Sequence, residues 1–288
     1  MNLAIVGLGE VGRCYAIPLH KAGHALSLYE THPSAAAREL AAEWGQPLRD
    51  QPGPELASAQ WILSCVTGAQ ALSVVESLLP ELSAQALIAD FTTAPPETKR
   101  RAANRASERG VRYVDTAIMG AISLRREGTP LLASGEGAAE LKALLEPVGG
   151  RVQVIEGGAA GDAISLKILR SVFTKGMEAL AVELLTSAEK QSVRPQLYEQ
   201  LRDIDETPLR EFLDMLVRTH VVHAKRRLHE VRDAERELAS QGLPSVVLTG
   251  VAGRFQQTAD CLDLRPLPTP EPSVEEALSW LLATPSRP

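Results

Sequence analysis

The first 160 residues alternate between short apolar runs and amphipathic stretches. "NLAIVGL" is an apolar run ending in glycine and reads as a strand. "VGRCYAIPLHKAG" spaces its apolar residues as a helix does, and "HALSLYE" returns to a strand-like run. "SAAARELAAEWG" reads as a helix, "WILSCV" as a strand, "ALSVVESLLPEL" as a helix and "ALIADF" as a strand. "PETKRRAANRASERG" is helical in pattern and "RYVDTAI" strand-like; "PLLASG", a helix over "AAELKALLEPVG" and "RVQVIE" complete the series. Strands and helices in alternation imply parallel βαβ units, hence an α/β doubly wound sheet with helices on both faces.

From Gly161 the pattern changes. Strand-like runs give way to one long predicted helix over 163–190, with no proline until Pro195. "PLREFLDMLVRTHVVHAKRRLHEVRDAERELASQG" is a second, heavily charged helix, stopped by Gly242 and Pro244. "SVVLTGVAGRFQQTADCL" reads as another helix, weakened by Gly250 and Gly253. "RPLPTPEPS" is a proline-rich connector, and "SVEEALSWLLA" a short capped terminal helix. Two domains follow: an α/β domain over residues 1–160 and an all-α domain over 161–288, joined by the long helix.

Composition narrows the function. The formal net charge of -6 counts against a nucleic-acid protein. No apolar run reaches the roughly 18–20 residues of a membrane span. Met1 leads directly into a strand-like run, which reads as no signal peptide. The three cysteines, Cys14, Cys65 and Cys261, are odd in number and far apart, the usage expected in a reducing cytoplasm. The six histidines make no zinc pattern; His220 and His223 lie at i, i+3 without a third ligand, so no metal is expected.

The chemistry begins at "GLGEVG". Gly7, Gly9 and Gly12 have the G-x-G-x-x-G spacing, after a strand and at the start of a helix. Gly7 permits the tight turn, Gly9 lets a pyrophosphate approach the backbone, and Gly12 allows close packing of helix on strand. Leu8, Glu10 and Val11 fill the positions between, and the helix N-terminus faces the anion. Glu30, at the end of the second strand, suits the ribose hydroxyls of NAD and repels a 2′-phosphate. His32 and Arg38 nearby leave NADP open. The plainer reading is a glycine-rich turn that binds nothing, and the context of the motif argues against it.

The second signal is Lys167, set among Ile164, Leu166, Ile168, Leu169, Val172 and Phe173. A lysine in such company either snorkels from a helix edge or has its proton affinity tuned by its surroundings.

Together with three further stretches, these motifs identify a family. The chain resembles the β-hydroxyacid dehydrogenases, the superfamily of 3-hydroxyisobutyrate and 6-phosphogluconate dehydrogenases. "GLGEVG" matches their cofactor loop, and "SCVTG" resembles the loop in which Val66 and Thr67 pass the cofactor. "DFTTAPPET" is similar to their D-x-S-T-x-x-P element, with Asp90, Thr92, Thr93 and Pro96 in the matching places. "DTAIMGAISLRREGT" resembles the substrate loop, matching at Asp115, Gly120, Gly128 and Thr129. "GAAGDAISLKILRS" resembles the segment that carries the family's catalytic lysine, which falls on Lys167. The likeness covers residues 1–180. The stretch "HAKRRLHEVRDAERELASQGLP" resembles the C-terminal domain of a little-characterised 6-phosphogluconate-dehydrogenase-like subfamily.

The resemblance implies a Rossmann-type domain, NAD bound by Gly7–Gly12, Glu30, Val66, Thr67 and Thr92, and a small-molecule substrate bound near Met119, Gly120 and Ala121. It implies general acid/base catalysis by Lys167, with Ser171 one turn on where the family has asparagine. Two departures stand out. Met119 replaces a serine and Ala121 a glycine, so a carboxylate loses one hydroxyl contact. Arg170, His229 and Glu230 are candidate substrate contacts; Arg125, Arg126, Arg226 and Arg227 are further cations whose plainer role is a solvated or ion-paired face. The leading expectation is an NAD(P)-dependent oxidoreductase acting on a β-hydroxy acid or related secondary alcohol. The alternatives are an imine reductase, a phosphorylated sugar-acid oxidative decarboxylase, and a cofactor-binding sensor without turnover. A homodimer is expected, with Val182, Leu184, Leu185 and "VVLTGVAG" at its interface.

Overall fold

The computed structural model describes residues 1–283. It contains β1 (Asn2–Val6), α1 (Glu10–Lys21), β2 (Ala25–Tyr29), α2 (Ala35–Glu43), β3 (Leu48–Arg49), β4 (Trp61–Ser64), α3 (Ala71–Leu78), β5 (Leu87–Asp90), α4 (Pro96–Ser107) and β6 (Arg112–Ile118). These are followed by α5 (Ile122–Arg125), β7 (Pro130–Ser134), α6 (Ala138–Leu145), β8 (Arg151–Val154) and α7 (Asp162–Lys190). The remaining helices are α8 (Arg194–Gln200), α9 (Arg202–Asp205), α10 (Leu209–Ser240), α11 (Val247–Leu264) and α12 (Val274–Leu282). The chain divides into two compact units, Met1–Val172 and Phe173 onward. That division falls inside α7, twelve residues beyond the sequence-based boundary at 160, because the first turns of α7 are held on the sheet.

In the first unit the strands form one sheet in the order β3-β2-β1-β4-β5-β6-β7-β8. Its strands are apolar on both faces because helices cover both. Along β1, Leu3 and Ile5 join the core under α1 and α6, with Tyr15, Leu19 and Leu141. Ala4 and Val6 face the other way, into the core under α3 and α4, with Val75, Leu78, Ala102 and Ala106. The strand period of two makes this division.

The expected parallel order holds through β6 and then breaks. β7 runs antiparallel to β6, pairing Asp115 with Ser134, and β8 is again parallel to β7. The connection between β6 and β7 forms only the one-turn α5 and a 3-10 turn, too little chain for a helical crossover, so the chain reverses instead. β3 escapes the pattern because two residues show no alternation.

In the second unit α10 packs against α11 and α12. Val221, Ala277 and Trp280 make its buried core, with Val217, Cys261, Leu262 and Leu281 against them. The expected cap on α12 is a full capping box: Ser273 accepts from the Glu276 amide at 3.2 Å and Glu276 accepts from the Ser273 amide at 2.8 Å. Among the described residues no helix is long and apolar enough to cross a membrane.

Candidate active site

β1 and β4 are neighbours, while the chain leaves β1 toward β2 on the other side. At such a switch point the loops beyond the strand ends part and leave a crevice. The loops Gly7–Gly12 and Cys65–Thr67 lie there. Gly7 has φ +90°, and a Cβ on it would come within 2.8 Å of the Cys65 carbonyl. A Cβ on Gly12 would stand 1.9 Å from the Gly7 oxygen, so α1 reaches the loop only with glycine there. Gly9 differs: nothing lies within 4 Å of where its Cβ would be. Gly9 is exposed and begins α1 without a side-chain cap, which leaves the helix's first amides for an external anion.

Glu30 closes the loop from β2. Its Oε2 accepts from the Leu8 amide at 2.8 Å and its Oε1 from the His32 amide at 3.0 Å. Arg13 donates to the Leu8 carbonyl at 2.6 Å, so the loop is held from two sides. Beside it lies a pocket of about 330 Å³ lined by Gly7, Gly9, Glu30, Val66 and Thr67, with Asp50, Gln51 and Pro52 from the segment after β3. An open glycine, an uncapped helix N-terminus and a ribose-sized pocket with an acceptor at its edge fit a dinucleotide. Leu8, Gly12 and Thr92 are buried and outside the pocket lining, as are the exposed Glu10 and half-buried Val11. Thr92 shapes its own turn, donating its amide to Asp90 at 2.8 Å. Burial pushes the Cys14 thiol up to about 11 and that of Cys65 higher still, so both stay protonated near neutrality.

A second constellation sits farther along the sheet. Ser64, Asp90, Asp115 and Ser134 pair across β4, β5, β6 and β7, forming one polar row, and all four are fully buried. In-register residues point to the same face. Lys99 of α4 reaches this row and is itself 0% exposed. Its Nζ lies 3.2 Å from Asp90 Oδ1 and 3.1 Å from Asp115 Oδ1, and donates to the Asp90 carbonyl at 2.8 Å. Tyr113 donates its hydroxyl to Asp90 Oδ2. Burial first, then the Asp90 charge, pushes the Tyr113 phenol well up, which keeps it a donor.

The row anchors α7. Asp115 Oδ2 accepts from the amides of Gly161, at 3.2 Å, and Ile164, at 3.0 Å. Ser134 accepts from the Ala163 amide at 3.0 Å. Lys167 follows Ile164 by one turn and is half-buried. Burial lowers its proton affinity, the like charge of Lys99 lowers it further, and Asp115 opposes both. Ser171 lies one turn on, half-buried on the same face.

Met119 packs against the cluster of Ala117, Leu132 and Ala163 under the start of α7. With Leu166 and Arg170 it borders an open groove of about 780 Å³ along β8. Gly120 and Ala121 are exposed on the loop beside it. His229 and Glu230 lie on α10 in the second unit, both exposed; Glu230 pairs with Arg226. The residues that sequence reasoning missed are Lys99, Arg13 and Asp50–Pro52, and it gave no role to Asp90, Tyr113 or Asp115. "TKRRAANRA" reads as a solvated charged face, so nothing local marks Lys99 as buried.

A family model described as the NAD binding domain of 6-phosphogluconate dehydrogenase matches residues 2–157, more than half of the chain. The chain belongs to this NAD-binding family. It is an NAD(P)-dependent oxidoreductase. A domain of unknown function, DUF1932, matches residues 188–258. The chain is 25% identical over 207 residues to 3-hydroxyisobutyrate dehydrogenase of Pseudomonas aeruginosa, covering 69% of this chain and 68% of that one. It is 29% identical over 204 residues to an uncharacterized 28.5 kDa protein in the 7S RNA 5′ region of Methanothermus fervidus, covering 69% and 76%. Among solved structures, a conserved protein of unknown function with similarity to 3-hydroxyacid dehydrogenases is 26% identical, with a TM-score of 0.64 over 90% of this chain and 97% of that one. An imine reductase from Aspergillus terreus, 22% identical, shares the fold with a TM-score of 0.71 over 90% and 93% of the two chains.

Proposed function

We propose that this protein oxidises a β-hydroxy acid or related secondary alcohol, or reduces the matching carbonyl, with Lys167 as general acid/base. The observation that carries this reading is the setting of Lys167. It is half-buried, one turn beyond an anchored helix start, with its ammonium disfavoured by burial and by Lys99. An amine whose proton affinity is brought down toward working pH can accept and return a proton. In oxidation, neutral Lys167 takes the proton of the substrate hydroxyl. In reduction, its ammonium donates that proton to the oxygen. The nicotinamide cofactor supplies the hydride chemistry when bound. Gly9 and the first amides of α1 hold its pyrophosphate, and Glu30 with the pocket beside Asp50 and Pro52 holds its adenosine half. Two acidic residues at that pocket, Glu30 and Asp50, favour NAD over a 2′-phosphorylated cofactor. Ser171 orients Lys167 or the substrate through its hydroxyl, and Met119, Gly120, Ala121 and Arg170 contact the substrate from its loop and from α7.

The test is reduction of NAD and NADP by the wild type and Lys167→Ala on a panel of hydroxy acids: 3-hydroxyisobutyrate, threonate, 6-phosphogluconate and aromatic β-hydroxy acids. A fall of ~10²-fold or more in the variant is expected. In the wild type kcat/KM for oxidation should rise with pH through the pKa of Lys167, below the ordinary lysine value of about 10.4, and reduction should fall over the same range. Unchanged turnover in Lys167→Ala would retire the role.

Imine reduction is a second reading. Met119 favours it, since a thioether set against Ala117, Leu132 and Ala163 offers a substrate an apolar wall where a hydroxyl would offer a carboxylate a donor. Turnover of cyclic imines with NADPH, and none of hydroxy acids, would select it.

The active form is a homodimer in this reading. Leu169, Val172 and Val182 of α7 are 64%, 68% and 62% exposed, and an apolar helix surface of that extent calls for a cover.

A further inference from the structure

Lys99 is a fully buried ammonium, which costs free energy unless it is compensated. Compensation is present in the two carboxylates at 3.2 and 3.1 Å and the Asp90 carbonyl at 2.8 Å. The same volume filled by a methionine would carry no such cost, but it would leave Asp90 and Asp115 facing each other across paired strands. Two neighbouring buried carboxylates do not both stay ionised without a cation. Lys99 is the cation between them, 3.2 Å from Asp90 and 3.1 Å from Asp115. Asp115 in turn receives the Gly161 and Ile164 amides, one turn before Lys167.

We propose that Lys99 is a positioning residue for Lys167: acting through Asp115 it holds the first turn of α7, and with Asp115 it sets the field in which Lys167 gains and loses its proton. The catalytic consequence rests on the reading of Lys167 as proton carrier. The groups that act on Lys167 are Lys99 from α4 and Asp115 from β6. Behind them stand Asp90 of β5 and its donor Tyr113 of β6. Arg100 of α4 lies against Gly161 and is paired with Glu97 at 3.1 Å. Lys99 repels the Lys167 ammonium and Asp115 attracts it. Removing Lys99 takes away the repelling cation, so Lys167 should hold its proton more tightly.

The experiment is labelling of Lys167 by an amine-reactive reagent across pH, read by peptide mass spectrometry, in the full-length wild type, Lys99→Met and the double variant Lys99→Met with Asp90→Asn. The double variant removes an ammonium and a carboxylate together and keeps the net charge of the trio. It carries the test if the single variant does not fold. In each folded variant the labelling midpoint of Lys167 should rise by on the order of one pH unit. The pH limb of kcat/KM for oxidation should move with it, a displacement that a merely structural loss would not produce. A midpoint equal to the wild type's in a folded variant overturns the proposal. If the midpoint moves while Lys167→Ala still turns over, the coupling stands and the proton-carrier reading falls. If Lys167→Ala is inactive and the midpoint stays, the reverse holds.

Discussion

Gly9 and Gly12 belong to one motif and have different reasons to be glycine. A methyl group on Gly12 meets the Gly7 oxygen at 1.9 Å, a backbone conflict that exists with or without ligand. A methyl group on Gly9 meets nothing within 4 Å of protein. Gly12→Ala should therefore lower stability by about 2–4 kcal/mol, seen as a fall in Tm of the protein alone. Gly9→Ala should leave that Tm in place and weaken NADH binding by roughly tenfold or more, read by fluorescence titration. Equal Tm losses in the two variants would contradict this division. The two lysines make a similar contrast. Lys167 stands out in the sequence by its apolar neighbours, yet it is only half-buried. Lys99 hides in a run of basic residues and is wholly buried. Both settings depend on the partner surface: Lys167 lies at the edge of the packed part of α7, while Lys99 meets carboxylates contributed by two strands.

At the scale of elements, α7 shows why a helix pattern does not locate a domain boundary. Its length matched the sequence expectation closely, 163–190 against Asp162–Lys190, but its first turns are tied to β6 and β7 by Asp115 and Ser134. In the second unit, α10 and α11 meet at a polar contact between the half-buried His220 and the buried Thr258, at 2.8 Å, with Phe255 against the imidazole. Burial first, then Arg254 and Arg227, brings the His220 pKa down to about 4. An unfolded histidine takes its proton near 6.5. Between those values the unfolded state binds more protons, so stability falls as pH drops from about 6.5 toward 4. His220→Gln keeps a polar partner for Thr258 and does not titrate. Its Tm measured against pH should be flatter than the wild type's across that window; an equal slope would assign the acid sensitivity elsewhere.

For the whole molecule, the exposed apolar residues of α7 bear on assembly. Light scattering of the wild type at micromolar concentration should give twice the mass of the chain, and Val172→Lys with Val182→Lys should give the monomer mass with NADH binding retained. A wild-type monomer would overturn the homodimer and leave those residues to be covered otherwise.

The order of strands and helices, the glycine loop between β1 and α1 and the placement of Lys167 on a long helix were legible in the sequence. Each depends on local periods of 2 and 3.6 and on glycine spacing, which a short stretch of chain carries within itself. The resemblance to the hydroxyacid dehydrogenases rested on five such stretches. Tertiary structure alone decided four things: the reversed direction of β7, the link from Glu30 to the Leu8 amide, the walling of the pocket beside the glycine loop by Asp50–Pro52, and the burial of Lys99 between Asp90 and Asp115. Each of these brings together segments distant in sequence or sets the direction in which one strand meets the next. Propensity and periodicity describe what a segment favours by itself; its electrostatic surroundings, and hence its chemistry, are set by which segments become its neighbours.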